Sequence, residues 1–270
     1  MDFSKELYEA KKAAILAGKK VMEIYHTDFK VDYKTDDSPV TIADIQANKV
    51  IISHLQKYFP SYAILSEESK DDGERLNNDY CFIIDPIDGT KEFVNKTGEF
   101  SINIALAYKQ KIVVAVIYVP VLEELYCAEK GKGAYKIKAR EKSKLYVSNR
   151  RDNLRVAESR SHKSAEVSLL YKENKAKIEK VYEVGSTIKG CFLASGVIDA
   201  FYKFGLGTKE WDIATMDLII HEAGGIFRDL QHQQFKYNKK DVYNYWGYYA
   251  LNSDKNYFEF EHIIRQNVAK

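Results

Sequence analysis

The stretch Cys81-Phe82-Ile83-Ile84-Asp85-Pro86-Ile87-Asp88-Gly89-Thr90-Lys91 constrains this chain more than any other. Four residues of strand character run directly into two carboxylates, Asp85 and Asp88. An unpaired carboxylate is too costly to leave in the apolar surroundings of such a strand. Pro86 fixes φ and has no N–H for a sheet ladder, so a turn is expected there. Gly89 admits backbone shapes that a Cβ forbids and lets another group come close. The segment reads as a tight loop at a strand end, aiming two carboxylates and the Thr90 hydroxyl at one point. Clustered oxygen donors suit a hard cation such as Mg²⁺. A surface turn rich in Asp, Pro and Gly would use the same residues, so the rest of the chain has to decide.

Three further places carry acids at the end or start of an element. Tyr62-Ala63-Ile64-Leu65-Ser66 reads as a strand that empties into Glu67-Glu68-Ser69. Val40-Thr41-Ile42-Ala43-Asp44 leads into a helix whose inward positions are Ala47, Val50, Ile51, His54, Leu55 and Tyr58. Asp44 sits in that helix's first turn, where the dipole favours a carboxylate even without any function. Trp211-Asp212-Ile213-Ala214 opens a strongly apolar helix that Gly224-Gly225 closes, glycine being common at a helix C-terminus.

Composition narrows the class. A chain of 270 residues with 45% apolar and 30% charged residues is an ordinary globular protein, not a disordered one. A formal net charge of +2 gives no case for nucleic acid as a partner. Cys81, Cys127 and Cys191 are far apart and odd in number, which supports neither a disulfide framework nor a thiolate zinc site. No segment is apolar enough to span a bilayer, and a cytoplasmic location is expected. Peripheral association with a membrane stays open, as does the choice between monomer and homodimer.

The apolar steps Phe3, Leu7, Ala10, Ala14, Ala17, Val21 mark an amphipathic first helix, with lysines on its solvated face. A short strand at Val31–Tyr33 and a turn at Asp36–Pro39 follow. Phe100–Leu106, Ile112–Val119, Leu125–Ala128 and Ala134–Ile137 read as strands in meander, hence antiparallel. The basic run Lys130–Lys144 is read as solvated loop and linker. Polar residues at Lys142–Asn149 suggest a boundary between an α+β half, residues 1–145, and an α/β half, residues 146–270. In the second half, strands are expected at Leu154–Ala157, Lys180–Val184, Val197–Tyr202, Gly225–Phe227 and Tyr248–Leu251. Helices are expected at Ala165–Lys175, from Gly185-Ser186-Thr187-Ile188-Lys189-Gly190 onward, and at Asn256–Gln266. Alternation of this kind indicates α/β architecture.

Taken together, Glu67-Glu68-Ser69, Asp85-Pro86-Ile87-Asp88-Gly89-Thr90, and Trp211-Asp212-Ile213-Ala214 with Glu222-Ala223-Gly224-Gly225 resemble the signatures of the inositol monophosphatase superfamily. Val40–Asp44 resembles the segment that precedes them. The resemblance implies a layered α-β-α-β-α sandwich and an Mg²⁺-dependent phosphatase with two or three ions. It further implies that Glu67, Asp85 and the Ile87 carbonyl hold one cation, that Asp85, Asp88 and Asp212 hold a second, and that Asp44 contributes to a third, weaker site. Glu67 and Thr90 would orient the attacking water, with Asp44 counted among the catalytic residues. The chemistry is coherent in its own right, because a phosphate monoester repels nucleophiles until cations neutralise its oxygens.

After Gly89-Thr90 the chain continues Lys91-Glu92-Phe93, which resembles the 3′(2′),5′-bisphosphate nucleotidase branch. So do Ser159-Arg160-Ser161-His162 and Gly185-Ser186-Thr187-Ile188-Lys189, although Thr187 stands where that branch commonly has a second Ser. The implied substrate is a small nucleotide, adenosine 3′,5′-bisphosphate, held by Asp88, Gly89, Thr90, Lys91 and Asp212 and by Ser161, His162, Ser186 and Lys189. Inositol phosphates or a sugar bisphosphate are the alternative substrates. A catalytically silent metal-binding relative is the alternative from another class, but every metal carboxylate is present.

Overall fold

A computed structural model describes residues 1–34 and 39–268. Of the turn expected at Asp36–Pro39, residues 36–38 lie outside them. Helix α1 (Ser4–Tyr25), the short hairpin β1 (Val31–Tyr33) and β2 (Pro39–Thr41), and helix α2 (Ile42–Tyr58) come first. Helix α1 buries Ala10, Ala13, Ala14, Ala17 and Val21, small side chains that let it lie close to its neighbours. Helix α2 begins with a capping box, Thr41 and Asp44 each satisfying the other's backbone region.

The first sheet has seven strands in chain order: β3 (Ala63–Ser66), β4 (Tyr80–Asp88), β5 (Ser101–Tyr108), β6 (Lys111–Val119), β7 (Glu124–Glu129), β8 (Ala134–Lys138) and β9 (Glu141–Lys144). Only β3 and β4 pair in parallel; the rest form an antiparallel meander. A short helix α3 (Thr90–Val94) follows β4. The second half supplies β10 (Leu154–Ser159), α4 (Ala165–Glu173), β11 (Ile178–Val184), α5 (Ile188–Ala194), β12 (Ala200–Phe204), β13 (Thr208–Lys209), α6 (Glu210–Glu222), β14 (Ile226–Asp229), β15 (Tyr243–Asn244), β16 (Gly247–Leu251) and α7 (Glu261–Val268). Its five-stranded sheet runs β11-β10-β12-β16-β14.

Period-two alternation along β5 builds the layers. Ile102, Ile104 and Leu106 face the core under α1 and α2. Ala105 and Ala107 face the core that holds α5, α6 and the inner face of the second sheet through Phe201, Phe227 and Ala250. The second sheet's outer face packs Val156, Tyr202, Tyr249 and Leu251 against α4 and α7. The result is the expected α-β-α-β-α sandwich, with α6 between two sheets and apolar nearly all round.

Four local expectations are corrected. Pro86 does not end its strand: β4 runs on to Asp88, with a register shift between Asp85 and Asp88. Asp85 pairs with Asn103 and Asp88 with Ser101, so β4 carries one extra residue there and Pro86 sits in a bulge, where its missing N–H does no harm. The basic run is no linker. Residues 134–138 and 141–144 form the last two strands of the sheet, and every residue of β9 is exposed. The strand expected at Val197–Tyr202 is Ala200–Phe204. The last helix starts at Glu261 and not Asn256, because Asp254–Asn256 forms a 3₁₀ turn and Phe258 and Phe260 then bury their rings. The three cysteines are free and buried. Among the described residues no helix is long and apolar enough to cross a membrane.

Gly247 joins β12 to β16 at close range. Its φ is +77°, and a Cβ there would lie 2.1 Å from the carbonyl oxygen of Lys203. Backbone cannot yield as a side-chain tip can. Gly247→Ala is expected to destabilise the protein by about 3 kcal/mol. At about 2–4 °C per kcal/mol, a thermal melt should show Tm lower by roughly 6–12 °C.

Candidate metal centre and substrate cavity

Parallel pairing brings the C-terminal ends of β3 and β4 to one edge, Ser66 opposite Ile84. The Glu67 amide extends the ladder by one bond to the Ile84 carbonyl, 3.2 Å, which sets Glu67 beside Asp85. The third acid arrives from the other half. Asp212 lies in the first turn of α6, its Oδ2 accepting from the Lys209 amide at 2.5 Å. Carboxylate oxygens of Glu67, Asp85 and Asp212 all lie within 4.8 Å of one another.

The electrostatics of this arrangement are unfavourable for anions alone. Asp85 is 1% exposed, and among the described residues its carboxylate accepts one hydrogen bond, from the Ile87 amide at 3.1 Å. Burial pushes its pKa well above the usual carboxylate range, and repulsion from Glu67, Asp88, Asp212 and Asp44 adds to the shift. Asp212 is raised in the same way, by burial and then by Glu67. An all-oxygen donor set with excess negative charge and no His or Cys fits a hard divalent cation such as Mg²⁺. Lys34 approaches this cluster from outside, 2.8 Å from Glu67 and 2.5 Å from Glu68.

Asp44 performs two tasks. Its Oδ2 accepts from the Thr41 amide at 2.8 Å and the Thr41 hydroxyl at 2.7 Å, capping α2. Its Oδ1 lies 3.3 Å from the Thr90 hydroxyl, which is also 3.2 Å from the Ile87 carbonyl. Burial raises the pKa of Asp44, against the Thr41 hydrogen bonds. Gly89, with φ at +94°, lets the chain pass from the bulge into α3; a Cβ there would lie 3.0 Å from the Glu99 carbonyl.

Asp88 stands apart from the three-oxygen cluster. Its Oδ2 accepts from the Ser186 hydroxyl at 2.6 Å and the Thr187 amide at 2.5 Å. Burial raises its pKa, and those two donors and Lys189 oppose the rise. Asp88, Glu158 and Asp212 line a cavity of about 380 Å³ together with His162, Ser186, Lys189 and Lys203. Lys189 spends two hydrogens on the carbonyls of Val184 (3.1 Å) and Ser186 (2.9 Å), which leaves one for the cavity. Ser161 donates to the buried Glu92 carboxylate and does not line the cavity; neither does the exposed Lys91.

Lys203, Leu206, Thr208 and Tyr248 line the cavity without having been singled out in the sequence. Lys203 did carry a signal, as the one charge inside Ala200-Phe201-Tyr202-Lys203-Phe204. Burial lowers its pKa, with Glu166 and Asp212 pulling the other way. In the register, Lys203 pairs with Tyr248, so both point to one face.

The model of the inositol monophosphatase family matches residues 4–253, and the chain belongs to that family. It is 36% identical over 230 residues to the 3′(2′),5′-bisphosphate nucleotidase CysQ of Salmonella typhimurium, across 84% of this chain and 92% of that protein. It is also 36% identical over 212 residues to the corresponding Buchnera aphidicola protein, 77% of this chain and 78% of the relative. The crystal structure of CysQ from Bacteroides thetaiotaomicron superposes with a TM-score of 0.81 at 34% identity, covering 93% of this chain and 99% of that one. An inositol monophosphatase from Thermotoga maritima, at 24% identity and a TM-score of 0.76 over 89% of each chain, shares the fold.

The raised carboxylates fix a sign. A folded state that holds protons more tightly than the unfolded chain loses stability as pH rises from the ordinary carboxylate range, about 4, through the raised values. In chelator, Tm should therefore fall from pH 5 to pH 8, and Mg²⁺ should restore it most at the upper end. Asp85→Asn should raise Tm in chelator at pH 8 by a few degrees, abolish the Mg²⁺-induced rise and remove activity. An unchanged Mg²⁺ response would show that the cation binds elsewhere.

Proposed function

We propose that the protein is an Mg²⁺-dependent phosphomonoesterase that removes the 3′-phosphate of adenosine 3′,5′-bisphosphate, giving AMP and phosphate. It also accepts 3′-phosphoadenylyl sulfate, which carries the same 3′-phosphate. One observation carries this reading: a single cavity is lined both by the acids Asp88, Glu158 and Asp212 and by Lys189, Lys203 and His162. A monoester with one anionic group needs only the acids and their cations. The basic residues fit a second anion on the same molecule, for which charge-assisted hydrogen bonds are the strong contacts. The names of the curated relatives support the same substrate class.

Two or three Mg²⁺ would be held by Glu67, Asp85, Asp88, Asp212 and the Ile87 carbonyl, with Asp44 at the weakest site. Mg²⁺ bound there neutralises the phosphoryl oxygens and acidifies the attacking water. The chain's own groups do the rest. The Thr90 hydroxyl donates to Asp44 Oδ1, so its lone pairs face outward and accept a hydrogen from the water. Glu67 orients the same water from the adjoining strand end. Gly89 and Lys91, beside Thr90, belong to the phosphate's approach. Lys203, the remaining hydrogen of Lys189 and His162 take the uncleaved 5′-phosphate, which fixes the 3′-phosphate in line with the water.

The deciding assay is phosphate release from adenosine 3′,5′-bisphosphate and from inositol 1-phosphate, with and without Mg²⁺. Preference for the bisphosphate supports the reading; preference for inositol 1-phosphate overturns it. Within the bisphosphate reaction, Thr90→Ala and Glu67→Gln should lower kcat by on the order of 10²–10⁴-fold with little change in KM. Lys203→Ala should cost roughly ten- to a hundredfold in kcat/KM for the bisphosphate, the worth of a hydrogen bond to a charged group. The same variant should leave a small monoester nearly unaffected.

A further inference from the structure

Two buried polar residues, Ser101 and Asn103, stand on β5 where the sheet would otherwise take alanine or valine, and Thr187 lies against them from the start of α5. Ser101 is 0% exposed, Asn103 1% and Thr187 1%, and the neighbours of the first two on β5 are Ile102, Ile104 and Ala105. The ladder sets Ser101 opposite Asp88 and Asn103 opposite Asp85. Burying polar groups in such surroundings is costly unless hydrogen bonds compensate.

Their hydrogens can be traced. Ser186 Oγ donates to Asp88 Oδ2 at 2.6 Å, so its own acceptor position is open to Ser101 Oγ at 2.8 Å. Ser101 Oγ also lies 2.7 Å from Thr187 Oγ1 and 3.3 Å from Asn103 Oδ1. With Thr187 donating to Ser101 and Ser101 to Ser186, the chain Thr187–Ser101–Ser186–Asp88 directs its hydrogens toward the carboxylate, each link polarising the next. The Thr187 amide reaches the same Oδ2 at 2.5 Å. Among the described residues no donor reaches Oδ1. Asn103 Oδ1 lies 3.2 Å from Thr187 Oγ1, while its Nδ2 has no partner. Turning that amide over gives Thr187 a donor and starts the chain at Asn103.

Ser186 adds an independent sign. Its φ is +58°, a left-handed conformation that glycine adopts without strain. A serine is kept there, and its hydroxyl is the one that touches Asp88.

We propose that Ser101 is a positioning residue for the cation site. Through Ser186 and Thr187 it pins Oδ2 of Asp88 and leaves Oδ1 as the donor to a cation. The inference rests on the Mg²⁺ reading above, and not on the identity of the phosphoester.

The test measures Mg²⁺ binding by calorimetry on the full chain without substrate. Ser101→Ala should weaken Mg²⁺ about tenfold, one step removed from a hydrogen bond to a charge. Ser101→Thr, which restores the hydroxyl on a strand-favouring residue, should regain most of it. At saturating Mg²⁺, Ser101→Ala should keep the wild-type KM. Thr187→Val, which breaks the relay but keeps the amide on Asp88, gives a second reading should Ser101→Ala fail to fold; it should weaken Mg²⁺ by about three- to fivefold. Thr215→Val is the control, since it removes a buried hydroxyl that makes no hydrogen bond, and it should bind Mg²⁺ as wild type does. Equal affinity in wild type and Ser101→Ala, or an equal loss in Thr215→Val, overturns the inference alone. Absence of Mg²⁺ binding in wild type overturns it together with the cation reading.

Discussion

Repulsion among buried carboxylates is the constraint on which this molecule depends. Asp85 is surrounded by Glu67, Asp88, Asp212 and Asp44, and burial denies the four aspartates much help from water. No sequence would accumulate such charge for stability's sake. The surrounding structure has to force the acids together, and a divalent cation has to relieve them. Rigid elements do the forcing. Glu67 and Asp85 are fixed by a parallel strand pair, Asp44 by the cap of α2, and Asp212 by the first turn of α6.

Helix α6 is the member that makes this possible across the two halves. It belongs to the second half by sequence, yet its buried face shares one core with Ile83, Ala105 and Ala115 of the first sheet. Asp212 is thereby held against Asp85 by apolar packing spread along the whole helix. The basic groups Lys189 and Lys203 come from α5 and β12, on the same side as α6. The acids and cations of one cavity are thus carried by β4, α5, α6 and β12.

Much of this could be read from residues alone, for a physical reason. Acids that interrupt apolar strands, such as Asp85 after Ile83-Ile84, are conspicuous because burial makes them expensive. The same contrast makes Lys203 visible in retrospect between Tyr202 and Phe204. Pro86 is ambiguous, because a missing N–H argues equally for a turn and for a bulge, and only the pairing with Asn103 and Ser101 separates them. Within the basic run Lys130–Lys144, Glu141–Lys144 reads as linker because an edge strand with both faces in water has no apolar alternation to show. Side-chain partners were the least legible part. Ser186 binds Asp88, and Lys189 is partly committed to backbone carbonyls. Those engagements depend on a left-handed residue and a helix start that no spacing rule specifies.

The exposed last strand has a consequence for how molecules of this protein behave together. The seven-stranded sheet ends at β9, whose outer row of peptide groups is open to pairing by any other extended chain. Lys142 and Lys144 lie on that strand, and Lys136 and Lys138 on the one beside it. A second copy approaching edge to edge would bring its own lysines against these, and like charges facing across a ladder are destabilising. At moderate salt that repulsion protects the edge against extension of the sheet. Salt at molar strength, with its Debye length of about 3 Å, removes that protection.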